Sequence, residues 1–241
     1  MLNIQMNALR LAPVDDDTLD NHKDPKSLSR SEQAYRHIRE AIRCGRYKPG
    51  DRLREVDLAA ELGLSRTPVR QAFARLEANG LIVNDPVRGF VVTTLDFAAI
   101  NELYYIREVL EGTAARLAAQ HASDVELSIL IELGEQYKAA VDDEALLKER
   151  NRQFHDMLCQ CSHNRYLLGT IASLYDSLSL LGNSVLTQRA RAEETFLEHE
   201  AVIDAIRRRD PDAAEQTIRE HIRRSQKARL KRLFVERSQK P

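Results

Sequence analysis

Three of the seven histidines in this 241-residue chain stand on apolar stripes. His155 lies beside Phe154 and Leu158, His199 shares a helical face with Phe196, Val202 and Ile203, and His221 sits between Ile218 and Ile222. One imidazole in such a place is commonly a core residue with its hydrogen bonds satisfied. Three ask for a shared role. Asn151 precedes His155 by four residues, which puts both side chains on one helical face a turn apart. His199 and His221 are each 11 residues from Asp210, where Asp210-Pro211 turns the chain. Antiparallel helices rising about 1.5 Å per residue from that turn carry the two rings to the same height. Histidines around an open metal position could support hydrolysis. That use also needs a general base and a cleft, and the chain has neither an HExxH spacing nor a nucleophile motif.

Arg107 is a second candidate, set among Ile100, Leu103, Tyr104 and Leu110, where an unpaired guanidinium would be costly. Glu111, one turn on, offers an internal ion pair. A third group is basic and lies earlier. Glu55 to Leu62 reads as a short helix, Gly63 suits a left-handed turn, and a further helix begins after Ser65 and runs to about Ala78. Ala59 is small where two helices cross, and Leu64, Val69 and Phe73 supply an inner face. The outer face presents Arg66, Thr67, Arg70 and, a turn further, Arg75 at the end where a recognition helix meets base edges and phosphates. Pro68 is tolerated because the amides of a first turn lack intrahelical partners.

The elements that must position these residues form two sets. A helix starts at Ser29, with Ser29 and Glu32 at capping-box spacing, and its stripe of Ala34, Tyr35, Ile38, Ala41 and Ile42 ends before Gly45 and Pro49-Gly50. After the two helices above come β-rich runs at Leu81–Val83 and Phe90–Thr93, parted by Asn84-Asp85-Pro86 and Gly89, a hairpin with Arg88 near its tip. Asp96 then caps a purely helical region in six pieces, 97–120, 123–140, 143–161, 164–187, 190–208 and 211–234, with Ser123, Asn164 and Asp210-Pro211 as starts. The expected division is a flexible extension over 1–28, a three-helix and hairpin domain over 29–95, a helical domain over 96–234 and a tail over 235–241.

Composition agrees with two helical units. Apolar residues make up 43% and charged residues 30%, and no run approaches the roughly 18 apolar residues that a membrane helix needs. Neither a membrane span nor a secretory core of about 7–15 apolar residues is expected, so the cytoplasm is the expected compartment. Cys44, Cys159 and Cys161 lack zinc-site spacing and read as reduced, mostly structural thiols. The net charge of -1 hides an asymmetry: residues 31–95 hold 11 Lys and Arg against 8 Asp and Glu, whereas 96–241 hold 21 against 24. An architectural DNA protein, which depends on abundant phosphate-binding charge, fits this poorly. The basic run Arg219–Lys231 is a solvated helix end.

Residues 31–95 resemble the winged helix of the GntR family of bacterial transcription regulators. The residues that carry the likeness run from Leu64-Ser65-Arg66-Thr67-Pro68-Val69-Arg70-Gln71-Ala72-Phe73 through Arg75-Leu76-Glu77 to Gly80-Leu81, with Gly45 to Leu53 and Glu55 upstream. The resemblance implies Arg66 and Arg70 on guanine edges, Ser65 and Thr67 on phosphate, Gly89 with Arg88 in the minor groove, and Arg54 near the backbone. Residues 97–234 resemble the FCD ligand-binding domain of the FadR subfamily, through Arg107 with Leu110-Glu111, Asn151-Arg152-Gln153-Phe154-His155, Asn164, Glu198-His199-Glu200 and the stretch from Asp210 to His221. Six helices rather than seven match the VanR-type variant.

This second resemblance implies a divalent cation of the zinc, nickel or manganese type, held by Asn151, His155, His199 and His221. Asn151 stands where aspartate is frequent, and a neutral amide oxygen holds a cation more weakly than a carboxylate. The resemblance also gives Arg107 the carboxylate of a small organic acid as a partner. The expected protein is a homodimeric regulator, most simply a repressor, on double-stranded DNA with a near-palindromic operator.

Overall fold

The computed structural model describes residues 28–182 and 189–238. Within them the chain forms a three-helix and hairpin unit followed by an all-α bundle of six helices. The expected extension over 1–28 lies outside the described residues except at Leu28.

Helix α1 (Arg30–Arg43) starts where Ser29 Oγ accepts the Glu32 amide at 3.1 Å. The other half of the expected capping box is absent, because the Glu32 carboxylate accepts from Arg36 at 2.6 Å and pairs with Arg75. Charged donors outcompete the neutral Ser29 amide for it. Gly63, at φ +64°, ends α2 (Glu55–Leu62) in the left-handed region and turns the chain into α3 (Arg66–Ala78).

The hairpin is offset from the sequence expectation: β1 (Ile82–Asp85) pairs antiparallel with β2 (Gly89–Val92), with Ile82 opposite Val92 and Asp85 opposite Gly89. Asp85 Oδ1 takes the amides of Val87 and Arg88 at 2.9 and 2.8 Å. That Asx turn moves the reversal to Pro86–Arg88 and leaves Asn84 and Asp85 in the strand. Ile38, Ile42, Val69, Phe73, Leu76, Leu81 and Val92 fill the core of this unit, and Phe73 meets Phe90 edge-on at 4.9 Å.

The bundle comprises α4 (Phe97–His121), α5 (Asp124–Ala139), α6 (Glu144–Gln160), α7 (Arg165–Ser179), α8 (Arg189–Arg207) and α9 (Pro211–Ser238). Four of its helices start on side-chain caps, from Asp96, Ser123, Asp143 and Asn164, and Asp210 Oδ1 takes the Ala213 amide at the start of α9. Helix α7 stops at Ser179, short of the expected 187; residues 183–187 of that expectation lie outside the described residues. Helix α9 continues to Ser238, beyond the expected 234.

Small residues on α4 let α9 approach closely: a Cβ on Gly112 would fall 2.7 Å from Arg219 Nε. Around this pair Ala115, Ala118, Leu130, Phe154, Leu158, Val202, Ile206 and Ile218 form the main apolar cluster. The two units touch through α1 and α7. Leu180 is buried in the first unit's core, and Arg39 Nε donates to both oxygens of Asp176 at 2.9 and 2.7 Å. Among the described residues no helix is long and apolar enough to cross a membrane. The three cysteines are free, Cys44 exposed and the other two buried, and burial pushes the Cys161 thiol up to about 12.

Candidate functional site

Helix α3 buries Pro68, Val69, Ala72, Phe73 and Leu76, which turns Arg66, Thr67 and Arg70 outward at its N-terminal end. Both arginines are held by one carboxylate. Arg70 donates to the two oxygens of Glu55 at 3.1 Å each, and Arg66 Nη2 donates to Glu55 Oε2 at 3.3 Å. Hydrogen bonds from Arg70 foremost keep Glu55 below the usual carboxylate range. Two guanidinium forks are thus held over α2 by Glu55. Ser65 is exposed beside them, and exposed Arg54 lies 3.6 Å from Asp57. At the hairpin tip Val87 is 91% exposed, with exposed Arg88 next to Gly89 at φ +75°.

Arg75 departs from the expected outer row. It pairs with Glu32 and its guanidinium lies over the Tyr35 ring, 4.0 Å from the centroid. It fastens α3 to α1, a packing role for an arginine placed one turn past the exposed end.

In the bundle, α6, α8 and α9 bring His155, His199 and His221 together. One ring nitrogen from each lies within 4.8 Å of the others, and all three residues are buried. His155 Nε2 and His221 Nε2 are 3.2 Å apart. Behind each stands a carboxylate, Glu111 Oε2 at 2.7 Å from His155 Nδ1 and Glu198 Oε2 at 2.7 Å from His221 Nδ1. Each carboxylate has an arginine of its own: Arg107 Nε donates to Glu111 at 2.6 Å, and Arg191 donates to both oxygens of Glu198 at 2.9 Å. A carboxylate on Nδ1 fixes the tautomer and aims Nε2 inward, the arrangement that supports metal-bound histidines.

His199 has no such brace. Neither of its ring nitrogens has a hydrogen-bond partner among the described residues, although the residue is wholly buried. Its ring stacks on Phe154 at 3.8 Å between centroids and meets Tyr137 edge-on at 5.2 Å. Burial holds its pKa well below the ordinary value, and His221 and His155 lower it further. Burial also takes His221 down to about 4 despite the hydrogen bond it donates to Glu198. Both rings are therefore neutral near pH 7, the form that donates a lone pair to a metal. A buried imidazole with two unpaired nitrogens is costly in a finished core and fits a ligand site.

Arg107 stands at the edge of this cluster. Its pair with Glu111 satisfies the internal ion-pair reading, and its Nη2 is also 3.4 Å from His155 Nε2. The guanidinium is not consumed by that pair, because it lines a cavity of about 430 Å³ together with His155, His221, Asn151 and Tyr104. The structure therefore brings together Asn151, His155, His221 and Arg107 around one space, with His199 packed against both histidines. The sequence placed Glu111 beside Arg107 but did not reveal its contact with His155, nor Glu198 and Glu55 as partners. Glu198 was within reach, since it lies 12 residues before Asp210 and the turn arithmetic that pairs His199 with His221 also brings it to that height. Glu55 lies across a helix-turn-helix from its arginines, where no i,i+4 rule applies.

The chain matches the bacterial regulatory protein family called gntR over residues 30–92 and the FCD domain over residues 102–224. It is 31% identical over 208 residues to YdhC, an uncharacterized HTH-type transcriptional regulator of Bacillus subtilis, covering 85% of this chain and 92% of that one. It is 28% identical over 194 residues to the HTH-type transcriptional repressor RspR of Escherichia coli, covering 80% and 85%. Among solved structures, McbR/YncC of E. coli superposes with a TM-score of 0.74 at 23% identity, covering 86% of this chain and 99% of that one. A GntR transcriptional regulator from Rhodococcus gives 0.71 at 23%, covering 84% and 98%. These two likenesses establish the fold.

Proposed function

This chain belongs to the GntR family of bacterial regulatory proteins and carries an FCD domain, and on that premise we propose that it is a repressor released or tightened on its operator by a small organic acid. The function is DNA-binding regulation, not catalysis, as in the transcription regulators it matches. Within the family our reading places it in the FadR subfamily, VanR type, with a reading domain over 29–95 and a sensing domain over 96–234. RspR is named a repressor, which supports the sign of control.

The observation that carries the reading is the pairing of two exposed arginines on α3 with three buried, converging histidines in the bundle. In the reading domain Arg66 and Arg70 donate to guanine edges, Ser65 and Thr67 meet phosphate, Arg54 reaches the backbone, and Arg88 with Gly89 enters the minor groove. One α3 covers too few base pairs for tight binding, so a homodimer on a near-palindrome is the working form.

In the sensing domain Asn151, His155, His199 and His221 would hold one divalent cation of the zinc, nickel or manganese type. The two unpaired nitrogens of His199 fit that group. Such an ion supplies an electrophilic anchor for an acid group. The chain's own residues do the rest. Glu111 and Glu198 fix the orientation of two rings, and Arg107 offers a guanidinium to the acid. Glu111 and Glu198 are already matched by Arg107 and Arg191, so a dication brings positive charge that an incoming anion neutralises.

The test is a genomic footprint of the intact protein followed by titration of the recovered operator with organic acids. A short near-palindrome bound by a dimer in light scattering, with affinity altered by a carboxylate, is the expected result. A monomer on the intact site, or indifference to every acid tried, would contradict it.

A further inference from the structure

The cavity beside Arg107 does not belong to the bundle alone. Its wall includes Arg43 and Cys44 from the end of α1, a helix whose Ile38 and Ile42 are buried in one core with Val69 and Phe73 of α3. Five cations line the space, Arg43, Arg107, Lys148, Arg152 and Arg229, against the carboxylates Glu40 and Glu149. Three of the five are engaged. Arg107 is bound to Glu111, Arg152 donates to Glu149 and Asp156, and Arg229 donates to the Leu181 carbonyl.

Arg43 is different. It is half-buried, and its charge lowers Asp156 and Asp176 nearby, yet its guanidinium makes no hydrogen bond or close ion pair within the described residues, even with Glu40 three residues before it. Lys148 across the cavity is likewise without an ion pair but is exposed to water. One turn before Arg43, Arg39 grips Asp176 of α7 and fixes this end of α1 against the bundle.

We propose that Arg43 completes the effector site from the DNA-reading side, holding a second anionic group of a dianionic effector whose first acid group sits at the Arg107 end. This rests on the acidic-effector reading above and specifies its ligand as a dicarboxylate or a like dianion. A guanidinium matches such a group with two parallel hydrogen bonds. Because α1 and α3 share one core, a ligand that draws on Arg43 acts directly on the helix behind the recognition arginines. The signal then needs no relay through the bundle.

The test uses the full-length, metal-loaded protein and straight-chain acids as probes, with succinate, glutarate and adipate set against butyrate, pentanoate and hexanoate in calorimetric titration. In the wild type at least one dicarboxylate should bind about tenfold or more tightly than the monocarboxylate of equal length, the size of one charge-assisted contact. Arg43→Ala should bring that dicarboxylate down to the monocarboxylate level and abolish its effect on operator binding, while operator affinity without ligand is unchanged. Arg43→Lys should keep part of the preference.

Monocarboxylate binding with no dicarboxylate preference, or a preference that survives Arg43→Ala, would overturn the shared site and leave the acidic-effector reading standing. Failure of both acid classes to bind the wild type would overturn the two together. Loss of ligand-free operator binding in Arg43→Ala would assign Arg43 to packing of the reading domain and overturn the proposal.

Discussion

The two cores of this molecule are built on opposite terms. The centre of the winged helix holds Ile38, Val69, Phe73, Leu76 and Val92, with no polar side chain among them. The bundle has an apolar cluster of its own but also buries His155, His199, His221, Glu111 and Glu198, tied to Arg107 and Arg191. An apolar core gains from every buried methylene and fixes the shape that aims α3. A polar core breaks even only when each group is partnered, and here His199 is not. Among the described residues the first unit leaves only the Thr93 hydroxyl buried and unpaired, whereas the bundle leaves both ring nitrogens of His199 unpaired at its centre.

The contrast is sharpest in two truncations. Phe73→Ala should cost about 3–5 kcal/mol, the usual range for a fully buried phenylalanine, and should abolish operator binding. In metal-free protein His199→Leu should change stability by less than about 1 kcal/mol or raise it, since it removes two unpaired nitrogens. Urea unfolding followed by circular dichroism measures both, and a loss from His199→Leu equal to that from Phe73→Ala would make His199 an ordinary core residue.

The next effect belongs to the histidine core alone. A cation at 100 times its dissociation constant should stabilise the folded protein by about 2.7 kcal/mol, read as a rise in melting temperature. The double variant His199→Ala with His221→Ala should show no rise. A smaller effect belongs to the reading unit: Arg70→Ala should weaken binding to the specific operator by roughly 1–3 kcal/mol and to random DNA much less. Equal losses on both DNAs in a fluorescence anisotropy titration would deny Arg70 a base-reading role.

The smallest effect separates the two units by the sign of a pH dependence. Burial alone would raise Glu32, but Arg36 and Arg75 outweigh it and hold the carboxyl below its ordinary range. Its contribution is present above the unfolded value near 4.5 and fades as pH falls through the lower folded value. Asp176, at the junction, runs the other way. Burial raises it despite Arg39, so its contribution is full below about 3.8 and is lost as pH rises through the higher folded value. Glu32→Gln and Asp176→Asn should therefore alter the acid limb of stability in opposite directions, each by no more than about 1 kcal/mol. A shift of the same sign in both variants would contradict these assignments.

Much of this was legible in the sequence because its signals are local. The 3.6-residue stripes, the caps at Ser123 and Asn164, and Gly63 in its turn mark helices without reference to anything distant. The histidine cluster was legible through the turn at Asp210, which makes a distant pair effectively local. What escaped was set by tertiary contact. Asp85 moved the hairpin turn by capping two amides, Arg75 folded back onto Tyr35 and Glu32, and Arg39 found Asp176 across 137 residues. Glu55 was read as the first residue of a helix and is also the carboxylate that holds both Arg66 and Arg70.

The central claim is that His155, His199 and His221 converge in order to hold a cation. Elemental analysis of gently purified protein, repeated after stripping and dialysis against zinc, nickel and manganese salts, tests it most directly. The account predicts about one divalent ion per chain, in line with a single ligand set, and none in the variant lacking His199 and His221. Wild-type protein that takes up no ion under any of these conditions would contradict it.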